Sequence, residues 1–278
     1  MAGPMEAVAS RGGAPVPQPA LIGSLLRARR LVQRNLLVYR HTWIVIVSGF
    51  FEPVFYLLGI GYGLGSLTNG MPLADGRVIS FQAFVAPGLV AMSTMNGAIA
   101  ESIFNVFFKL NFARTYDGIL ATPLGIREIA IGEMIWSLIR GTGYVVAFLG
   151  VMFAMGLILS PWGVLVVPGA ILLGAAFSAA GLAISSYLRT VQDFDLPMGL
   201  VVMPMFLFSG TFFPTTFYPA PVLALMELTP LFHGVSLFRG LTTGLLQPHM
   251  LWDLAYLLAF CALCMWVAMR QLERKLIK

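Results

Sequence analysis

The stretch that decides the fold is residues 196–240, LPMGLVVMPMFLFSGTFFPTTFYPAPVLALMELTPLFHGVSLFRG. It enters as an apolar span and breaks at Ser209-Gly210. It then passes Pro214, Pro219, Pro221 and Pro230 while staying mostly apolar. A water-exposed loop should be more polar, and a simple spanning helix should not carry four prolines so close together. The reading that fits both is a span followed by short helical pieces that dip back into the membrane. Broken backbone survives at that depth only when it is buried in protein or lines a cavity. Residues 210–240 are therefore the first place to look for a path through a bilayer.

Composition agrees. The chain has 278 residues, is 58% hydrophobic and only 10% charged, against about 25% charged in a soluble domain. Several apolar runs reach the roughly 20 residues that a helix needs to cross a bilayer. The class is all-α and polytopic, with no loop long enough to hold a soluble domain. The net charge of +5 does not point to nucleic acid. The basic residues sit beside span ends, where anionic lipid headgroups account for them. Cys261 and Cys264 are the only cysteines. They share one apolar run with no further metal ligands nearby, so no metal site is expected.

In chain order, residues 1–20 read as a flexible cytoplasmic tail without the apolar core of a signal peptide. Residues 21–41 read as an amphipathic interfacial helix. Leu21, Leu25, Ala28, Val32 and Leu36 recur at helical spacing, with Arg27, Arg30 and Arg34 on another face. A solvated basic linker is the alternative. Residues 42–278 form the transmembrane domain, with six expected spans. These lie near 43–64, 81–107, 129–159 and 164–188, then in the run entering the broken stretch, then near 251–269. Glu52-Pro53 should kink the first span. The glycines at 59, 61, 63 and 65 offer small-xxx-small spacing for close helix approach. They do not follow a strand and do not read as a phosphate-binding loop.

Orientation follows from the cations. Of the 17 Lys and Arg, only Arg77 and Arg239 fall outside when the N-terminus is inside. Arg140 lies within the third span, and all the others are cytoplasmic. The positive-inside rule then puts both termini in the cytoplasm, which an even number of spans satisfies.

The sequence resembles the permease subunit of type-2 ABC exporters, of the nodulation lipooligosaccharide and daunorubicin-resistance kind. One set of residues that carries this is Phe208-Ser209-Gly210-Thr211-Phe212-Phe213-Pro214, then Thr229-Pro230-Leu231-Phe232-His233 and Arg239. The other is the cytoplasmic loop 108–128, with Arg114-Thr115-Tyr116-Asp117-Gly118-Ile119-Leu120-Ala121-Thr122-Pro123-Leu124, running on to Gly132-Glu133-Met134. Glu52-Pro53 belongs to it too. The resemblance implies a cell-membrane dimer of two permease subunits, a homodimer. It also implies a separate cytoplasmic ATPase that carries ATP and Mg. No G-x-x-x-x-G-K-[ST] run occurs in these 278 residues, so this chain brings no P-loop and no cofactor of its own.

The residues then sort into three groups. In the loop, Tyr116, Ile119 and Leu120 suggest a small apolar face, with Arg114, Thr115 and Asp117 as polar anchors and Pro123 as a stop. An exposed apolar knob fits a groove on a soluble partner, and the resemblance implies that this loop docks on the ATPase. An ordinary connecting helix is the bland alternative. The intramembrane charges are Glu52, Glu101, Glu133 and Arg140, which should face the protein interior. Glu52 with Arg140 is a possible pair between spans, and Glu133 near the cytoplasmic end has water as another option. At the break, Phe208, Gly210, Phe212, Phe213, Pro214, Pro230, His233 and Arg239 are gate candidates. His233 is expected to satisfy an orphan carbonyl or hydroxyl beside the broken backbone, and the three histidines lack matching acids for a catalytic centre.

The function expected from these residues and the resemblance is an ATP-driven exporter permease, not an enzyme. It would move a lipid-like, glycolipid or amphiphilic drug-like substrate. The rival is an ion-coupled secondary transporter using Glu52, Glu101 and Glu133.

Overall fold

The computed structural model describes residues 29, 31–35, 51–68, 70–113, 115–122 and 124–276. The tail 1–20, most of the interfacial helix, residues 43–50 of the first span, Arg114 and Pro123 lie outside these residues. Helix α1 covers residues 51–65 and contains a π-helical turn at Leu57–Tyr62. A two-stranded hairpin follows, β1 (Met71–Pro72) antiparallel to β2 (Val78–Ile79), with Met71 opposite Ile79. The sequence reads this segment only as a polar loop. Arg77 pins the hairpin inward by donating to the Thr243 carbonyl at 3.0 Å.

Helix α2 is Phe81–Asn111. Ser80 caps it by accepting from the Ala83 amide at 3.2 Å, satisfying one of the orphan donors of a helix start. The short helix α3 is Thr115–Leu120. Helix α4 is Ile126–Ala154 and α5 is Pro161–Ser185, opened by a 3-10 turn with Pro161 at its first position. The run α6 is helical over 191–207, with a π-helical turn at Met198–Val202. Two short helices follow, α7 (Ala220–Glu227) and α8 (Pro230–Thr243), bent by 89°. The chain closes on α9, His249–Leu276.

Helices α2, α4, α5 and α9 are each long and apolar enough to cross a membrane, and the bent pair α7–α8 would make a fifth span among the described residues. At 1.5 Å per residue, each of the four exceeds the roughly 30 Å hydrocarbon core. Helices α2 and α5 form the centre. The apolar window of α2 is 78% buried and that of α9 only 17%, so α9 stands at the rim with its apolar face turned outward. That is the arrangement expected when lipid, not water, is the surrounding solvent.

The break after α6 is tightly tied. Ser209 donates to the Phe206 carbonyl at 2.8 Å and shares a 2.7 Å hydrogen bond with Thr211. Gly210 turns the chain at φ +73°, which a side chain would strain. The turn then presses on α2 at Gly88, where an added Cβ would lie 2.6 Å from Thr211.

The described residues 31–35 are helical. Their buried positions are Leu31 and Asn35, not Val32, which is half-buried. Of the expected apolar stripe only Val32 is among the described residues. The face that counts is set by protein contact, because Leu31 packs in one cluster with Tyr116, Ile129 and Leu182.

Candidate functional site

Helices α2 and α4 carry two ion pairs. In the first, Lys109 donates to both carboxylate oxygens of Glu133 at 2.8 Å and to Asn35 Oδ1 at 3.3 Å. The Glu133 side chain is 4% exposed, so it does not escape to water. This knot joins the helical residues 31–35, α2 and α4. Tyr116 of α3 is buried beside Glu133, and among the described residues its hydroxyl makes no hydrogen bond of ordinary geometry. Burial, reinforced by the Glu133 charge, pushes the Tyr116 phenol well above its usual range.

The position of Tyr116 overturns the expected docking knob. Tyr116 is 1% exposed, and Ile119 and Leu120 are half-buried against the same apolar cluster. The apolar face of α3 is turned inward, where it earns more from burial than from water contact. Asp117 and Gly118 are what α3 exposes. Thr115 is half-buried.

In the second pair, Arg140 of α4 meets Glu101 of α2. Glu101 also accepts from Trp136 Nε1 and from Asn105 Nδ2, each at 3.1 Å. Arg140 reaches the Tyr144 hydroxyl at 3.4 Å. Glu101 opens a π-helical turn, Glu101–Asn105, an irregularity often found at functional positions. The expected Glu52–Arg140 pair is replaced by Glu101–Arg140. Glu52 instead lines the same cavity of about 340 Å3, together with Asn96, Ser137 and Tyr144.

A third constellation lies at the bend between α7 and α8. His233 Nδ1 is 2.6 Å from Asp253 Oδ1, and its Nε2 is 2.8 Å from the Glu227 carbonyl. Ser236 donates to Asp253 Oδ2 at 2.8 Å. A carbonyl can only accept, so Nε2 carries a hydrogen. The short contact to Asp253 then needs a second proton, held on Nδ1 or on the carboxyl group. The histidine therefore does have a matching acid. Asp253 was legible as a charge just inside an apolar run, on the same grounds as Glu101, but it is absent from the intramembrane charges read from sequence.

Arg239 has no carboxylate. It donates to the carbonyls of Gly210 at 2.8 Å, Phe84 at 3.3 Å and Thr211 at 3.4 Å, and sits over the Phe84 ring at 3.8 Å. Pro87 lies inside α2, and the Phe84 carbonyl, within a turn of it, takes a guanidinium hydrogen. Gly210, Pro214, His233 and Arg239 line a pocket of about 790 Å3. Phe208, Phe212, Phe213 and Pro230 are not part of its wall. Phe212 packs edge-on against Phe206, while Phe208 and Phe213 are exposed on the outside of the fold.

The described helices form a bundle of membrane-spanning length with charges paired inside it and a broken segment tied to its core. The profile of the ABC-2 type transporter family matches residues 27–242, and the chain belongs to this family. Nodulation protein J of Rhizobium leguminosarum bv. viciae is 30% identical over 223 residues, 78% of this chain and 81% of that protein. Nodulation protein J of Bradyrhizobium diazoefficiens is 32% identical over 216 residues, 74% of this chain and 78% of its own. The inner membrane transport permease YadH of Escherichia coli K12 is 28% identical over 175 residues, 61% of this chain and 66% of its own.

Proposed function

We infer that this chain is the membrane half of an ATP-driven exporter, working as a pair of permeases with a separate ATPase that binds ATP and Mg. One observation carries this reading. The cytoplasmic helix α3 is anchored by Tyr116 beside the Lys109–Glu133 knot, so a push on α3 passes into α2 and α4 together. Those same two helices frame the Glu101–Arg140 cavity. Asp117 and Gly118, exposed on α3, offer the partner its contact surface.

The ATPase would shift the population of two bundle arrangements by contacting them unequally. An amphiphile is the substrate class that suits a bundle with polar cavities inside apolar walls. The outward face of α1 suits a second copy of the chain. Phe51, Phe55, Leu58 and Tyr62 are exposed there, and Gly59 and Gly63 stand open beside them. Both termini are cytoplasmic on the cation count, in the cell membrane. The ion-coupled rival loses two of its three acids to ion pairs, since Glu101 and Glu133 are held by Arg140 and Lys109.

The test is to purify the tagged chain from its native membranes in mild detergent and measure ATP hydrolysis in the eluate. The wild type should bring an ATPase with it, and Asp117→Lys should stay folded but lose it. If no ATPase associates and a proton gradient alone drives transport, the exporter reading fails.

A further inference from the structure

The cavity between α1, α2 and α4 is more polar than a structural ion pair requires. Its wall brings Glu52, Glu101 and Arg140 together, two carboxylates against one guanidinium. Arg140 answers Glu101. Glu52 is exposed into the cavity and makes no hydrogen bond or ion pair with the other described residues. A carboxylate without a partner inside a bilayer is costly. A second observation is independent of charge. Ser137 on α4 lines the same cavity, is 3% exposed, and its hydroxyl has no hydrogen-bond partner among the described residues. A buried polar atom left unmet in an apolar bundle calls for an explanation, and a bound group is one.

The size narrows the ligand. About 340 Å3 is at the small end of ligand pockets, which run from about 300 to 1,000 Å3. It holds a polar head and not a whole amphiphile. Among the described residues the wall carries one carboxylate more than it has guanidinium groups, which favours a cationic head over an anionic one. An ammonium group brings three donors, enough to meet Glu52, the Ser137 hydroxyl and the Asn96 side-chain oxygen at once.

We propose that this cavity is a binding site for the amine-bearing head of an amphiphile, with Glu52 as its counter-ion and Ser137 as a hydrogen-bond partner. The apolar tail stays among the helices and lipid outside. The site rests on the transport reading for its purpose, but not for its detection.

The experiment uses the full chain in nanodiscs of zwitterionic lipid, without ATPase or nucleotide. Saturable binding of radiolabelled dodecylamine is measured against empty nanodiscs, with dodecanol and dodecanoate as competitors. Dodecylamine should bind saturably, and both competitors should be at least about tenfold weaker, the scale of one charge-assisted contact. Glu52→Gln should weaken the amine about tenfold and leave dodecanol unchanged. Ser137→Ala should weaken the amine by a smaller factor. If Glu52→Gln does not fold, Glu52→Asp, which keeps the charge, should retain amine selectivity, and Asn96→Leu should reduce it. Equal competition by all three probes overturns the site, as does unchanged selectivity in Glu52→Gln. Selective binding without ATP-driven movement of the amine in the assembled transporter would instead break the export reading and leave the site standing.

Discussion

The two ion pairs that join α2 to α4 are built from the same chemistry and differ in their surroundings. Glu133 and Arg140 stand seven residues apart on α4, about 10 Å along the axis. Glu133 takes Lys109, and Arg140 takes Glu101. The helices therefore run antiparallel, with the signs reversed between the two rungs. Sliding one helix by two turns would set like charges opposite each other, so the pairs fix register as well as contact. The lower rung is closed around Glu133, which is 4% exposed. The upper rung opens on a cavity. The lower rung reads as a joint, and the upper rung as a joint with room beside it for something else.

Removing one partner of the lower rung should give the largest loss. Glu133→Ala or Lys109→Ala leaves a buried charge without its counter-charge and should cost about 3–5 kcal/mol. Thermal unfolding in detergent would measure it. The double substitution Lys109→Met with Glu133→Leu should recover most of the loss, since replacing a buried pair by apolar side chains is often neutral. The upper rung should be more forgiving. Arg140→Ala should cost about 1.5–3 kcal/mol, the scale of lost charged hydrogen bonds, because water in the cavity can hydrate what remains of Glu101. If the upper rung proves the more costly, the contrast between a dry and an open joint is wrong.

The bend between α7 and α8 offers a third case. His233 ties the Glu227 carbonyl to Asp253, and the pair lines a pocket as the upper rung does. His233→Ala should cost about 1–3 kcal/mol, less than the lower rung, because Ser236 still donates to Asp253. A larger loss would make the bend a closed joint like Lys109–Glu133. Hydrogen exchange of the α7 and α8 amides would locate the loosening at the bend.

The sequence makes the long helices plain, because hydropathy over about 20 residues needs no tertiary information. The expected spans at 81–107, 129–159, 164–188 and 251–269 fall on α2, α4, α5 and α9, with ends displaced by a few residues. The broken stretch is equally plain, since proline and glycine act locally. Partner choice is not. Which acid meets Arg140 depends on how α1 and α2 are rotated about their axes, and the π-helical turn at Glu101–Asn105 alters that rotation. The direction of α3 was also hidden. Six residues with three apolar side chains read the same whether that face looks out or in. Lys109 passed for a loop cation because it lies near the end of an apolar run.

The smallest expected effect is also the sharpest test of how α3 sits against the lower rung. The Tyr116 ring is buried, and among the described residues its hydroxyl makes no hydrogen bond of ordinary geometry, so Tyr116→Phe should change stability by less than about 1 kcal/mol at neutral pH. Tyr116→Asp should behave oppositely, because it buries a second carboxylate next to Glu133. The alkaline limb separates the cases further. The Tyr116 phenol sits well above its ordinary value of 10.0 in the fold, while in the unfolded chain it ionises near that value. Its contribution to stability is therefore complete below about pH 10 and is lost as the pH rises from there through the folded value. The slope is about 1.4 kcal/mol per pH unit for one proton. Tyr116→Phe should lose that part of the alkaline slope and hold its melting temperature better than the wild type between about pH 10 and 11. An unchanged slope would mean that the ring is reached by water, and that α3 is a loose connector and not a lever on α2 and α4.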